Sequence, residues 1–211
     1  MKEKTFREIE DSFIYEKYGD SNGFIIENGK NSIVLSAPHS VSQIREGSNK
    51  IGEYRTGLIV KKLGKITKSH IIYKTKNLND DANYDEQCNY KCSLENYIKQ
   101  ENIKLLLDFH ISAPDREYDI DIGTAEKNNI HSRTDLLDII VLILEEKYDC
   151  IVIDHTFPAS YPHTVASTIS RETDIPCFQI EINWKLIENQ EKTNNFINIF
   201  CKIIERLQEK I

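Results

Sequence analysis

The chain has 211 residues, of which 39% are hydrophobic and 29% charged, and a formal net charge of −7. That length fits one domain, 1–211, with a sizeable core. The acidic balance disfavours a nucleic-acid partner, which calls for a basic stripe, and no apolar run reaches the roughly 18 residues of a membrane helix.

Met1-Lys2-Glu3-Lys4-Thr5-Phe6 lacks the apolar core of a signal peptide, so the expected location is cytoplasmic, with no membrane partner. Residues 1–31 are polar and mixed. Within them, 13–15 and 23–26 read as short edge strands around the turn signal Asp20-Ser21-Asn22-Gly23. The first core strand is expected over about 32–37. Pro38 has no N–H for a ladder, so the strand stops there and His39 stands just past its carboxyl end. In open α/β sheets ligands bind at that end. Residues 40–52 hold Gly47 and Gly52 and read as a loop. A helix is expected from Glu53, with Leu58, Ile59 and Leu63 at helical spacing.

A strand at 70–74 leads into a polar surface loop at 77–85 and a helix over about 86–101. The run Lys104-Leu105-Leu106-Leu107-Asp108-Phe109-His110 repeats the first layout, a buried strand delivering a histidine at its end. Residues 118–123 alternate polar and apolar, as a half-buried strand does. An amphipathic helix is expected over 135–147, capped by Ser132 or Thr134. Then come a strand at 150–154, a proline-bearing loop at 155–163, a short helix at 164–173, a strand at 178–183 and a closing helix at 194–211. Strands alternating with helices predict a three-layer α/β/α sandwich with a mixed, largely parallel sheet.

Two histidines in the same strand-end context point to a metal. Zinc in hydrolases typically takes three protein ligands, and His₂Glu is a common set. His39 and His110 supply the imidazoles. Glu46 and Glu53 both follow His39; Glu53, at a helix start, is preferred over Glu46 in mid-loop. Glu181 lies in the apolar run Phe178-Gln179-Ile180-Glu181-Ile182, where burial raises a carboxyl pKa and suits it to proton transfer. It is the candidate general base. Asp108, two before His110, faces the same side of its strand and is a candidate to orient that ligand. The five cysteines are an odd set with no zinc-finger spacing, and Cys88 and Cys92 find no matching second pair, so free thiols are expected.

The ordered motifs Pro38-His39, Glu53-Tyr54-Arg55-Thr56-Gly57, Asp108-Phe109-His110 and Ile180-Glu181-Ile182-Asn183 resemble those of N-formylglutamate amidohydrolase-like proteins. These are relatives of the zinc carboxypeptidases and of phage poly-γ-glutamate hydrolases. The resemblance spans roughly 33–183. It implies a three-layer sandwich, zinc as cofactor, His39, Glu53 and His110 as its ligands, and Glu181 as the catalytic glutamate. The chain departs from the carboxypeptidase pattern in one place: His-x-x-Glu is absent, and 40–52 intervene before Glu53.

The resemblance also implies a carboxylate-bearing small molecule or peptide as substrate, which a guanidinium fork matches. Arg45, Arg116 and Arg171 are the candidates, with Asn83 and His163 as further polar contacts and Asp80 and Asp81 at the same mouth. The leading reading is zinc-dependent cleavage of an amide in an N-acyl amino acid or γ-glutamyl-type substrate. The rivals are a carboxypeptidase-like peptide hydrolase and a non-catalytic binder of an anionic small molecule.

Overall fold

The computed structural model describes residues 5–211. Its first helix, α1 (Phe6–Ile14), opens on a capping box: Thr5 Oγ1 accepts from the Glu8 N–H at 3.3 Å, and Glu8 Oε2 accepts from the Thr5 N–H at 2.7 Å. Residues 13–15 are therefore not a strand. Phe6, Ile9 and Phe13 share one helical face against the core, a period that the short apolar run 13–15 conceals; Thr5-x-x-Glu8 was the signal.

The remaining elements follow the alternating order. They are β1 (Phe24–Glu27), β2 (Ile33–Ala37), β3 (Gln43–Arg45), β4 (Ser48–Lys50), α2 (Tyr54–Thr67), β5 (His70–Lys74), α3 (Asn89–Gln100) and β6 (Leu105–Ser112). Then come β7 (Ile120–Gly123), α4 (Thr134–Glu145), β8 (Ile151–Ile153), α5 (Val165–Thr173), β9 (Cys177–Asn183) and α6 (Gln190–Gln208). Seven strands form one sheet in the order β1-β5-β2-β6-β9-β7-β8. β5, β2, β6 and β9 run parallel; β1 and β7 pair antiparallel with β5 and β9, and β8 runs parallel to β7. The sheet is mixed and largely parallel, as the alternation predicts.

Helices cover both faces. On one, Leu35, Leu107, Phe109 and Ile180 bury against residues of α1, α2, α4 and α6. On the other, Val34, Leu106 and Cys177 pack with Leu94 and Ile98 of α3 and with Val165 and Ile169 of α5. The period-2 alternation of each strand serves two cores at once, which is why these strands read as continuous apolar runs.

Four local expectations need correction. Residues 40–52 contain the β3–β4 hairpin, turned at Glu46 and Gly47, whose φ values of 50° and 75° suit the tight hairpin turn. β6 runs on to Ser112 because its pairing with β9 extends to Ser112 opposite Asn183, so His110 lies inside the strand. β7 is buried throughout: Asp121, 0% exposed, accepts the N–H groups of His155, Thr156 and Phe157 at 3.2, 2.7 and 2.9 Å. Finally, α4 is capped by neither Ser132 nor Thr134. His131 and Ser132 turn left-handed, with φ of 47° and 63°, and Arg133 takes the cap position with no side-chain bond.

The start of α2 is braced from behind. Arg55 is buried between the rings of Phe6 and Trp184, at 5.0 and 4.8 Å, and pairs with Glu10 of α1 at 2.6 Å. It also donates to the carbonyl of Ile187. Among the described residues no helix is long and apolar enough to cross a membrane.

Candidate metal centre and cleft

The chain leaves β2 for β5 on one side of it and returns in β6 on the other. Connections diverging from adjacent strands open a crevice at their carboxyl ends. His39 follows β2, and His110 lies in β6, at this switch point. Glu53 joins them from the start of α2. Its backbone N–H donates to the His39 carbonyl at 2.7 Å, so the hairpin excursion returns the chain to its origin. Glu53 does not cap α2 with its side chain; the carboxylate turns into the crevice, where Oε2 also accepts the Ile111 N–H at 2.9 Å.

Ligand atoms of His39, Glu53 and His110 lie within 4.8 Å of one another, and no other group of the described residues meets that description. His39 Nδ1 is 2.9 Å from Glu53 Oε1, and His110 Nδ1 is 3.4 Å from Glu53 Oε2. The opposite ring atoms meet acids: His39 Nε2 lies 2.8 Å from Asp81 Oδ1, and His110 Nε2 3.1 Å from Asp108 Oδ2. A carboxylate oxygen accepts, so each ring nitrogen facing one calls for a proton or a cation; with Nε2 donating to Asp81 or Asp108, each Nδ1 is left facing Glu53. An Nδ1 lone pair facing Glu53 is repulsive unless the imidazole gains a second proton or a cation stands between them. The donor set and its outer carboxylates therefore fit a divalent metal of the zinc kind.

The electrostatics state the same demand. Burial pulls the His39 pKa down, but Glu53 and Asp81 outweigh it and hold it up at about 9. His110 is pushed well above its ordinary value by Asp108 and Glu53, against burial. Burial raises Glu53, yet the two imidazoles pull it down to about 2. Asp81, 0% exposed, is likewise held far below the carboxylate range against its burial, by His39 and Arg45.

The cleft over this centre measures about 480 Å³ and includes His39, Glu53, His110 and Glu181 in its lining. β9 sets Glu181 directly opposite His110. Glu181 is 5% exposed. Burial is the main cause that pushes its pKa up to about 8; Glu53 and Asp121 add to it, and His110 and His39 oppose it.

Of the other expected site residues, Arg45 and Asn83 line the cleft. Arg45 is already committed: Nε and Nη2 grip Asp81 Oδ2 at 2.9 and 2.8 Å, and its guanidinium lies 4.7 Å from the Tyr84 ring centre. Asn83 Oδ1 accepts the Val165 N–H at 2.7 Å. Arg116, His163 and Arg171 are not in the lining. Arg116 sits over the ring of Phe157, which is itself part of the wall. His163 turns its ring to Tyr161 and its carbonyl to Lys91. Arg171 is held outside by Glu172 and the Pro162 carbonyl. Glu46 is not part of the ligand group; it accepts the Tyr84 hydroxyl. Asp80 pairs with Lys74. No cysteine joins the cluster, and all five are unpaired.

Sequence reasoning missed Gln179, which lines the cleft, and Asp121, which pins the wall at 155–157. Gln179 had a readable signal: it is polar in an apolar strand, two residues from Glu181 and so on the same face. Asp121 was readable only as a polar alternation.

No protein-family model and no curated protein matches the chain. Solved structures do match in fold. The Agrobacterium tumefaciens gene product Atu2144 superposes with a TM-score of 0.63 at 11% identity, over 94% of this chain and 97% of that one. A bacteriophage poly-gamma-glutamate hydrolase gives a TM-score of 0.59 at 14% identity, over 93% of each chain. A metallo-carboxypeptidase from Burkholderia cenocepacia gives 0.54 at 10% identity, over 87% of this chain and 62% of that one. At these identities the likeness is one of fold.

Proposed function

We propose that the chain is a zinc-dependent hydrolase that cleaves an amide bond in an N-acyl amino acid or γ-glutamyl-type substrate, as an N-formylglutamate amidohydrolase-like protein does. One observation carries this reading: two imidazoles and a carboxylate converge on one point, beside a second, buried carboxyl group in the same cleft. Neighbours named as a poly-gamma-glutamate hydrolase and a metallo-carboxypeptidase fit the same broad chemistry.

In this reading His39, Glu53 and His110 hold the ion. Bound zinc supplies a Lewis acid and lowers the pKa of water toward about 7. Asp81 and Asp108 fix the imidazole tautomers. Glu181 accepts a proton from the attacking water as the new C–O bond forms, and returns it to the leaving nitrogen as the C–N bond breaks. Arg45 is the one arginine lining the cleft among the described residues, and it offers positive charge to a substrate carboxylate. Asn83 contributes through its neighbours and not as a free donor.

The test is direct. Purified protein should contain about one zinc per chain, and His39→Ala and His110→Ala should each lose it by elemental analysis. Full turnover of N-formylglutamate by metal-stripped protein would sink the reading.

A further inference from the structure

Asn83 is tied to an amino end and Gln179 to a carboxyl group, and the two amides meet. A backbone N–H can only donate, so the Asn83 atom that meets the Val165 N–H at 2.7 Å is the carbonyl Oδ1. The other end of that amide is Nδ2, which donates and cannot accept. It faces Gln179 at 3.5 Å, so the facing atom is Oε1. Gln179 then presents Nε2 to Glu181 Oε1 at 3.0 Å. Each amide orientation follows from the one before it, starting from a main-chain group whose polarity is fixed.

We propose that Gln179 is a positioning residue for the general base: its Nε2–H holds Glu181 Oε1, leaving Oε2 as the oxygen that takes and returns the proton. A proton on Oε1 would point at the Gln179 N–H, so protonation is steered to Oε2. Asn83 acts through Gln179 by disfavouring the flipped amide, which would set the Gln179 Nε2 donor against the Asn83 Nδ2 donor. Gln179 is 3% exposed, and Asn83 accepts the first N–H of α5, whose cap is Thr164, so the chain is anchored at both ends. The base's role rests on the hydrolase reading above; the oriented chain of amides does not.

The experiment uses zinc-loaded, full-length protein. The side-chain amide resonances of Gln179, assigned by their loss in Gln179→Met, are expected to shift in both Asn83→Asp and Glu181→Gln. Resonances indifferent to either change overturn the chain. With N-formylglutamate as substrate, Gln179→Met should lower kcat roughly tenfold while KM stays within about twofold, the signature of a lost hydrogen bond to a charged group. Asn83→Asp should lower kcat in the wild-type background and have no further effect in Gln179→Met. Losses that multiply instead overturn the claim that Asn83 acts through Gln179. If wild-type protein binds zinc and leaves both N-formylglutamate and a γ-glutamyl peptide intact, the hydrolase reading fails, and the amide resonances still decide the chain.

Discussion

The α1–α2–α6 face of the sheet and the crevice at the carboxyl ends of β2, β6 and β9 are held together by opposite means. On the first, Phe13, Leu58, Leu107, Phe109 and Phe200 are fully buried, and rings pack edge to face, Phe13 on Tyr73 and Phe109 on Phe200. Burial alone stabilises such a region. In the crevice, Asp81, Asp108, Glu53 and Glu181 crowd around two imidazoles. Buried like charges stabilise nothing without a counter-charge. The apolar face is self-sufficient, whereas the crevice needs positive charge, from doubly protonated imidazoles or from a bound cation. The difference locates fold stability in one region and chemistry in the other.

The comparison is sharpest at Glu181. Glu181→Gln keeps shape, and the turnover of N-formylglutamate should fall by about 10²–10⁴-fold, with zinc content and melting temperature little changed. A variant that keeps its turnover puts the base elsewhere. Phe13→Ala is the mirror image. Its loss of buried ring should cost about 3–5 kcal/mol in denaturant unfolding, with zinc stoichiometry intact in the folded fraction. Zinc loss ahead of unfolding would break the separation between the two regions. Asp81→Asn is a smaller perturbation. By weakening the acceptor behind His39 it should reduce zinc affinity by roughly 10–100-fold in a competition titration. Unchanged affinity would mean that Asp81 serves only Arg45.

The smallest effect lies far from the crevice. Glu27 Oε1 accepts from Lys61 Nζ at 2.8 Å and from the Tyr73 hydroxyl at 2.6 Å. Burial raises its pKa, but Lys61 and Tyr73 outweigh that and hold it below the ordinary 4.5. A depressed folded pKa means stability that is present above pH 4.5 and lost as pH falls through the lower folded value. The pair is half exposed and screened, so Glu27→Gln should cost less than about 1 kcal/mol at pH 7. The difference from wild type should shrink as pH falls through that lower folded value. A gap that persists in acid would assign the effect to packing.

Much of this was legible in the residues, and for stated reasons. Pro38 ends a strand because it lacks an N–H, which puts His39 at the crevice; a lone acid in the apolar run 178–182 marks Glu181. The double-faced burial of β2, β6 and β9 makes uninterrupted apolar runs, so a largely parallel sheet was readable. What was hidden depends on contacts distant in sequence. Asp81 lies 42 residues from His39 and looks like any polar loop residue until β5 lies beside β2. Arg116, His163 and Arg171 were grouped at the mouth by proximity in sequence, whereas the 155–163 segment, pinned by Asp121, directs His163 and Arg171 to other partners. Helix α1 was masked because three apolar residues in a row carry no period.

The lodging of Arg55 between Phe6 and Trp184 has a consequence for how the molecule tolerates trimming. The same guanidinium leans on Glu10, and two residues toward the amino end stands Glu53 itself. Peeling away residues 6–14, by a protease or by fraying, strips Arg55 of its acid and one of its two aromatic plates. The strut behind the acidic grip then carries a stranded charge, so an injury at the amino terminus is felt two residues from the pocket floor.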